Sequence, residues 1–162
     1  MPSFTHLDEK GRVRMVDVTD KSATDRTAVA QAMVSMTPDT FDKITNYQVR
    51  KGNVLETARI AGIMGAKKTS ELIPMCHPLN ITHVQIDFFP DREKSAIRIE
   101  AMVRIKDLTG VEMEALTAVS IAALTIYDMC KSHDKRMSVS RMFLLKKTGG
   151  KSGTFERRED KE

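Results

Sequence analysis

Tryptophan is absent from the 162-residue sequence and tyrosine occurs twice, so the core has to be filled by aliphatic side chains and by eleven flexible, polarizable methionines. There are two cysteines, Cys76 and Cys130. They allow one bridge at most, which excludes a disulfide-held scaffold, and the first ten residues contain no apolar segment of the signal-peptide kind. A cytosolic chain with free thiols is expected. Neither sign of charge dominates: 26 basic against 22 acidic residues leave a net charge of +4. The basic residues are scattered among acidic ones, too mild a bias to imply nucleic acid. Internal repeats and low-complexity tracts are missing. With 41% hydrophobic and 30% charged residues, the composition argues against disorder and against a membrane span. A chain of this length buries roughly 70% of its unfolded surface and needs no metal to hold a core.

Residues 1–14 are polar and read as a loose N-terminal segment, residues 15–154 as one domain, and residues 155–162 as a charged tail. Residues 26–36 alternate in the manner of a strand covered on both faces. Thr37-Pro38-Asp39 starts a short helix, with Thr37 as N-cap and Pro38 in the first turn, and Asn46 and Tyr47 end it. A second helical period begins after Asn53 and runs to about Ile73, where Pro74 stops it; Gly62 and Gly65 within it imply close backbone packing. Residues 82–89 and 96–105 alternate as strands and form a hairpin through a turn at Pro90–Lys94. Thr109 and Glu112 have capping-box spacing before the longest apolar run, the principal helix, and residues 139–146 form a last strand. This order is that of an α+β sandwich, helices packed on one face of an antiparallel sheet.

Several segments carry groups capable of chemistry. Asp128 and Lys131 lie three apart at the end of the principal helix, where apolar neighbours would bury them in part and shift their pKa values, although a surface ion pair has the same spacing. Pro74-Met75-Cys76-His77-Pro78 is a stiff loop presenting an imidazole, or a structural turn with a satisfied histidine. Cys130 and His133, sharing a helix face, would need Cys76 as a third ligand to hold zinc, in a spacing that matches no common zinc signature. Gly149-Gly150-Lys151-Ser152-Gly153 suggests a phosphate loop, but Leu145 stands where a P-loop requires glycine. A flexible segment bringing Lys146, Lys147 and Lys151 to a polyanion remains open, as does a plain cationic surface. Lys51 precedes the second helix and could face an anion, while Glu112 and Glu114 at the start of the principal helix suit its dipole.

Taken together, Met15-Val16-Asp17-Val18, Lys51-Gly52, residues 58–63, residues 73–79, residues 109–117, Tyr127-Asp128-Met129-Cys130-Lys131 and the Gly-Gly-Lys-Ser-Gly stretch resemble the cyclic pyranopterin monophosphate synthase family of molybdenum cofactor biosynthesis. The resemblance covers about residues 15–154. It implies a ferredoxin-like α+β subunit in a homohexamer, a trimer of dimers with active sites at dimer interfaces. It also implies a lyase that turns cyclic dihydroguanosine triphosphate into cyclic pyranopterin monophosphate and pyrophosphate. Carried over position by position, Asp128 and Lys131 become the acid/base pair, assisted by Lys51, with Lys51 and Lys131 expected to act from opposite chains. Met75, Cys76, His77, Met113 and Glu114 hold the purine-derived ring, with Glu112 beside them. Asp17, Arg26, Arg104, Lys147 and the glycine-rich stretch line the pocket or meet the triphosphate. No protein ligands for a metal are assigned, and a magnesium cofactor is left open. The sequence departs from the family pattern between Ser132 and Phe143, and Met75 stands where leucine is usual. A metal-dependent hydrolase using Cys76, Cys130 and His133, or a non-catalytic nucleic-acid-binding module using the lysines of residues 146–151, are the rival readings.

Overall fold

The computed structural model describes Asp8 and residues 10–158, so most of the expected N-terminal segment up to residue 9 and the last four residues of the expected tail lie outside it. Five strands, β1 (Thr24–Ser35), β2 (His83–Asp91), β3 (Ala96–Asp107), β4 (Ser138–Thr148) and β5 (Phe155–Glu156), form one antiparallel sheet in the order β2-β3-β1-β4-β5. Four helices, α1 (Pro38–Thr45), α2 (Val54–Lys67), α3 (Thr69–Leu72) and α4 (Glu112–Cys130), connect them. The expected α+β sandwich is the one observed: α4 packs on β1, β3 and β4, and α2 lies beside α4 against β2.

The centre of the molecule follows from the alternation in β1. Ala28, Ala30, Ala32 and Val34 point to the helices and are inaccessible to solvent, opposite Val103, Ala101, Ile99 and Ile97 of β3 on the same face. Small residues here let α4 settle close to the sheet through Ala115, Ala118, Ala122 and Ala123, with Val119 and Ile126 filling the remaining volume. Although α4 is long and apolar enough by composition to cross a membrane, half of that stretch is buried inside the protein, as in a core helix.

Glycine sets the distance between α2 and α4. A Cβ on Gly62 would stand 2.4 Å from Ile86 Cδ1 and 2.9 Å from the Ala118 carbonyl oxygen, and one on Gly65 would stand 2.8 Å from Ile121 Cγ1. The backbone carbonyl cannot yield without moving α4. Gly62→Ala is therefore expected to cost about 1–3 kcal/mol, although alanine is the better helix former, and thermal denaturation will read the loss.

Local chemistry also corrects several expectations. The period from Asn53 to Ile73 is two helices, because Lys68 leaves helical geometry (φ −104°, ψ 9°) and the Thr69 hydroxyl donates to the Ala66 carbonyl 3.0 Å away, competing with the helical ladder. Ile73 is extended ahead of Pro74, as the residue before proline prefers. Thr109 does not cap α4: the N-cap is Val111, with no side-chain cap, and the Glu112 carboxylate folds back over Gly110 instead of completing a box. The hairpin turn is Arg92–Ser95, leaving Pro90 and Asp91 inside β2, an edge strand where the missing N–H of proline is harmless. By contrast, Thr37 caps α1 as expected, accepting from the Thr40 N–H. The last strand extends over Ser138–Thr148 and carries two bulges against β1, one placing Arg141 at φ 49°. Phe155 and Glu156, expected within the tail, pair with Lys147 and Lys146.

Candidate active site at the two ends of α4

The first amino-acid cluster is built at the C-terminal end of α4. Lys131 Nζ lies 2.6 Å from Asp128 Oδ1, and Lys51, from the turn before α2, donates to the Asp128 carbonyl oxygen at 2.9 Å and stands 3.9 Å from Oδ2. The expected partial burial is not observed: the Asp128 and Lys131 side chains are 61% and 53% exposed, because they sit past the apolar stripe of the helix, which turns Met129 and Cys130 inward. The Lys131 hydrogen bond and charge hold the Asp128 carboxyl below the usual carboxylate range, and Asp128 in turn raises the Lys131 ammonium. Both groups are thus fixed in their charged forms. Lys51 and Lys131, expected from opposite chains, flank the same aspartate of one chain.

A separate cleft of about 260 Å³ opens beside Lys51 between α1 and the end of α4, lined by Lys43, Arg50, Cys130 and His133. His133 lies beyond the end of α4 rather than on it, and its Nε2 contacts the Asp39 carboxylate. Cys130 is buried in the core and Cys76 belongs to the other end of the helix, so the zinc arrangement does not assemble. Among the described residues no three His, Cys, Asp or Glu side chains come together to hold a metal.

The second cluster surrounds the N-terminal end of α4. Met75, Cys76 and His77 from the stiff loop, with Glu112, Met113 and Glu114 from the first turn of the helix, line a cleft of about 540 Å³ that Val16, Lys21 and Leu79 complete. Glu114 is 3% exposed, and burial, reinforced by the nearby Glu112 charge against the opposing pull of its own backbone N–H, pushes its carboxyl up to about 7. Burial and the charge of Glu114 also raise the Cys76 thiol, which is therefore no activated nucleophile. A carboxyl that keeps its proton in the folded chain while the unfolded chain has lost it means that folding binds a proton. Stability therefore falls as pH rises from 4.5 to about 7. Glu114→Gln should flatten that decline in thermal midpoint, and an unchanged slope would place the titration elsewhere.

Next to this cleft the glycine-rich segment closes on β1. A Cβ on Gly150 would stand 2.3 Å from Arg26 Nη1, and Gly150 has φ +73°, so glycine is required twice over at this position. Arg26, expected to line the pocket or meet the triphosphate, borders the glycine-rich cleft, and it donates through Nε to the Asp107 carbonyl at 3.0 Å and through Nη2 to that of Leu108 at 2.9 Å, bracing the loop entering α4. Lys147, 15% exposed, contacts the Ser152 hydroxyl and lies 3.9 Å from Glu112. Arg104 faces a different cleft, shared with Arg26, Thr82 and Lys106. Asp17 lies outside the lining of the cleft at the N-terminal end of α4, and its carboxylate accepts from the Thr19 N–H and hydroxyl. Lys21, absent from the sequence expectations, borders both the cleft at the N-terminal end of α4 and the glycine-rich cleft. Nothing in its sequence context distinguishes it from other exposed lysines.

The model of the MoaC family matches residues 15–150. The chain belongs to the MoaC family. Cyclic pyranopterin monophosphate synthase of Desulfatibacillum aliphaticivorans is 66% identical over 155 residues, covering 96% of this chain and 98% of that one. The synthase of Desulforapulum autotrophicum is 64% identical over 155 residues, 96% and 95% of the two chains. That of Heliobacterium modesticaldum is 57% identical over 159 residues, 98% and 100%. In this MoaC-family chain the Lys51–Asp128–Lys131 cluster and the 75–77/112–114 cluster lie at opposite ends of one helix. Fourteen residues of α-helix separate Glu114 from Asp128, about 21 Å at 1.5 Å per residue.

Proposed function

We propose that this chain is a cyclic pyranopterin monophosphate synthase, a cytosolic lyase acting on cyclic dihydroguanosine triphosphate, whose active site pairs the N-terminal end of α4 in one copy with the C-terminal end in another. The observation that carries the reading is the separation itself. About 21 Å is too far for one nucleotide-sized substrate to meet both groups in a single chain, yet each group alone is half a site. One has a ring-sized cleft with Lys21 at its rim; the other has an acid/base pair on an open surface. Docking a second copy would bring them together, in keeping with a homohexamer built from dimers.

The chemistry assigned to each half follows from its charge state. Cyclic phosphate closure requires a substrate oxygen to lose its proton and attack the α-phosphorus while pyrophosphate departs with its charge. Asp128, held ionised, is the acceptor for that proton, and Lys131, held protonated, and Lys51 face the developing negative charge. Covering the exposed pair with a second copy removes water from it and strengthens every one of these interactions. At the other end, Glu114, its carboxyl pushed up to about 7, keeps a protonated fraction at neutral pH that can offer a proton to a ring acceptor, which an ionised carboxylate could not satisfy.

Incubation of the purified protein with cyclic dihydroguanosine triphosphate tests the reading. Pyrophosphate and the pterin should appear together and in equal amounts. A folded, assembled protein that forms neither product, or pyrophosphate alone, would overturn it.

A further inference from the structure

The C-terminal end of α4 has no glycine to close it: residues 131–134 are Lys-Ser-His-Asp, and the chain leaves the helix with Lys131 still in right-handed geometry (φ −57°, ψ −24°). Such an end frays unless something outside the helix holds it. The holding group is Asp134, 4% exposed and outside every residue so far assigned to the site. Its two carboxylate oxygens accept from different segments: Oδ2 from the Thr37 N–H at 2.8 Å, at the N-cap of α1, and Oδ1 from the Arg136 N–H at 2.9 Å. One residue earlier, His133 contacts Asp39 in the first turn of α1, and Asp39 also pairs with Lys43 at 2.6 Å. The Cys130 carbonyl accepts from both the His133 and Asp134 N–H groups, at 2.8 and 3.0 Å. The start of α1 and the exit from α4 are thus locked to each other through carboxylates at both ends of the contact.

This lock bears on the chemistry because the Asp128–Lys131 pair has no packing of its own. Two exposed side chains on the last turn of a helix are placed by the backbone beneath them, which Lys51 holds only at the Asp128 carbonyl, one turn before the exit. We propose that Asp134 is a positioning residue for the reaction: by bridging the Thr37 and Arg136 N–H groups it fixes the exit turn of α4 and so holds the Lys131 ammonium on Asp128. The proposal rests on the reading that this pair takes part in catalysis. Its carboxylate is well suited to the task. The Thr37 backbone N–H, foremost, keeps it ionised against the opposing effect of burial, so the bridge persists through neutral pH.

Asp134→Asn tests the bridge. It preserves shape but turns an amide NH₂ toward one of the two N–H donors, which then loses its acceptor. The expected result is a fall in kcat of about ten- to a hundredfold, with KM within about threefold of wild type and an intact circular dichroism spectrum. Ile99→Val, a core change distant from the exit turn, should lower the thermal midpoint without that loss. Independently of turnover, the NMR titration midpoint of the Lys131 side chain, raised in the wild type by Asp128, should move back toward that of ordinary lysine in Asp134→Asn. An unmoved midpoint overturns the proposal whatever happens to kcat, as does a kcat loss that Ile99→Val reproduces. A midpoint that moves in a protein whose wild type forms no product upholds the bridge and overturns the assigned function instead.

Discussion

Asp128→Asn is expected to lower kcat by about 10²- to 10⁴-fold while leaving KM no higher than in the wild type. The asymmetry follows from the charges around the residue. Two ammonium groups share one carboxylate: Lys131 at 2.6 Å from Oδ1 and Lys51 at 3.9 Å from Oδ2. Asparagine removes the only negative charge of the three. Lys131 then loses the partner that raises it, but an ordinary lysine is still protonated at neutral pH, so both cations remain available to a polyphosphate and its attraction to the site grows. What disappears is the group able to accept the proton of the attacking oxygen. Loss confined to kcat marks an interaction needed in the transition state, whereas a rise in KM at constant kcat would mark simple binding. Lys51 still donates to the Asp128 backbone carbonyl, which the substitution keeps, so the end of α4 stays anchored. The pair is exposed, and thermal denaturation should show no appreciable change. Steady-state kinetics with cyclic dihydroguanosine triphosphate decides it, and a kcat within tenfold of wild type would remove Asp128 from the chemistry.

Much of this arrangement was legible in the sequence, and the misses have identifiable physical causes. The alternation of β1, the Thr37-Pro38 start of α1 and the glycines at 62 and 65 each depend on short-range sterics or on one periodic face, and each appears where the pattern put it. The break at Lys68 was hidden because Thr69 acts through a hydroxyl bond to its own helix, which leaves the apolar period intact. The capping box at Thr109 had the right letters, but the choice of cap belongs to the loop that Arg26 braces from β1, a contact spanning 81 residues. Among site residues, Met75, Cys76, His77, Glu112, Met113 and Glu114 line one cleft because they lie in two short segments, 75–77 and 112–114, that meet at one helix end. The expected burial of Asp128 and Lys131 failed for the opposite reason. Spacing along a helix tells which residues share a face, while the depth of that face is set by what packs there, and among the described residues of one chain nothing buries Asp128. Asp134, likewise, is an ordinary acidic residue until the fold brings the Thr37 N–H to it.

The second large effect distinguishes a shared site from a private one. Each end of α4 can be disabled separately: Asp128→Ala at the C-terminal end, and Lys147→Ala at the N-terminal end, where its ammonium lies 3.9 Å from Glu112 and contacts Ser152 of the glycine-rich loop. Both variants should be nearly inactive alone. If each site draws one end from each copy, a dimer mixed from the two variants contains one site with both defects and one with neither. Random exchange in equal amounts makes about half the dimers mixed, so about a quarter of all sites are intact and about a quarter of wild-type activity returns. Lys51→Ala mixed with Lys131→Ala is expected to behave differently. Both ammonium groups belong to the same aspartate of the same chain, so every site in the mixed dimer carries one defect or the other and no activity is recovered. The two mixtures share substrate, buffer and exchange procedure, which makes their contrast the decisive quantity. Recovery in the first alone requires a site assembled across two copies with the lysines on one side. Failure of both, after exchange has been verified by mass spectrometry, would confine each site to a single chain, and the 21 Å between Glu114 and Asp128 would then have to be closed by movement of the chain itself.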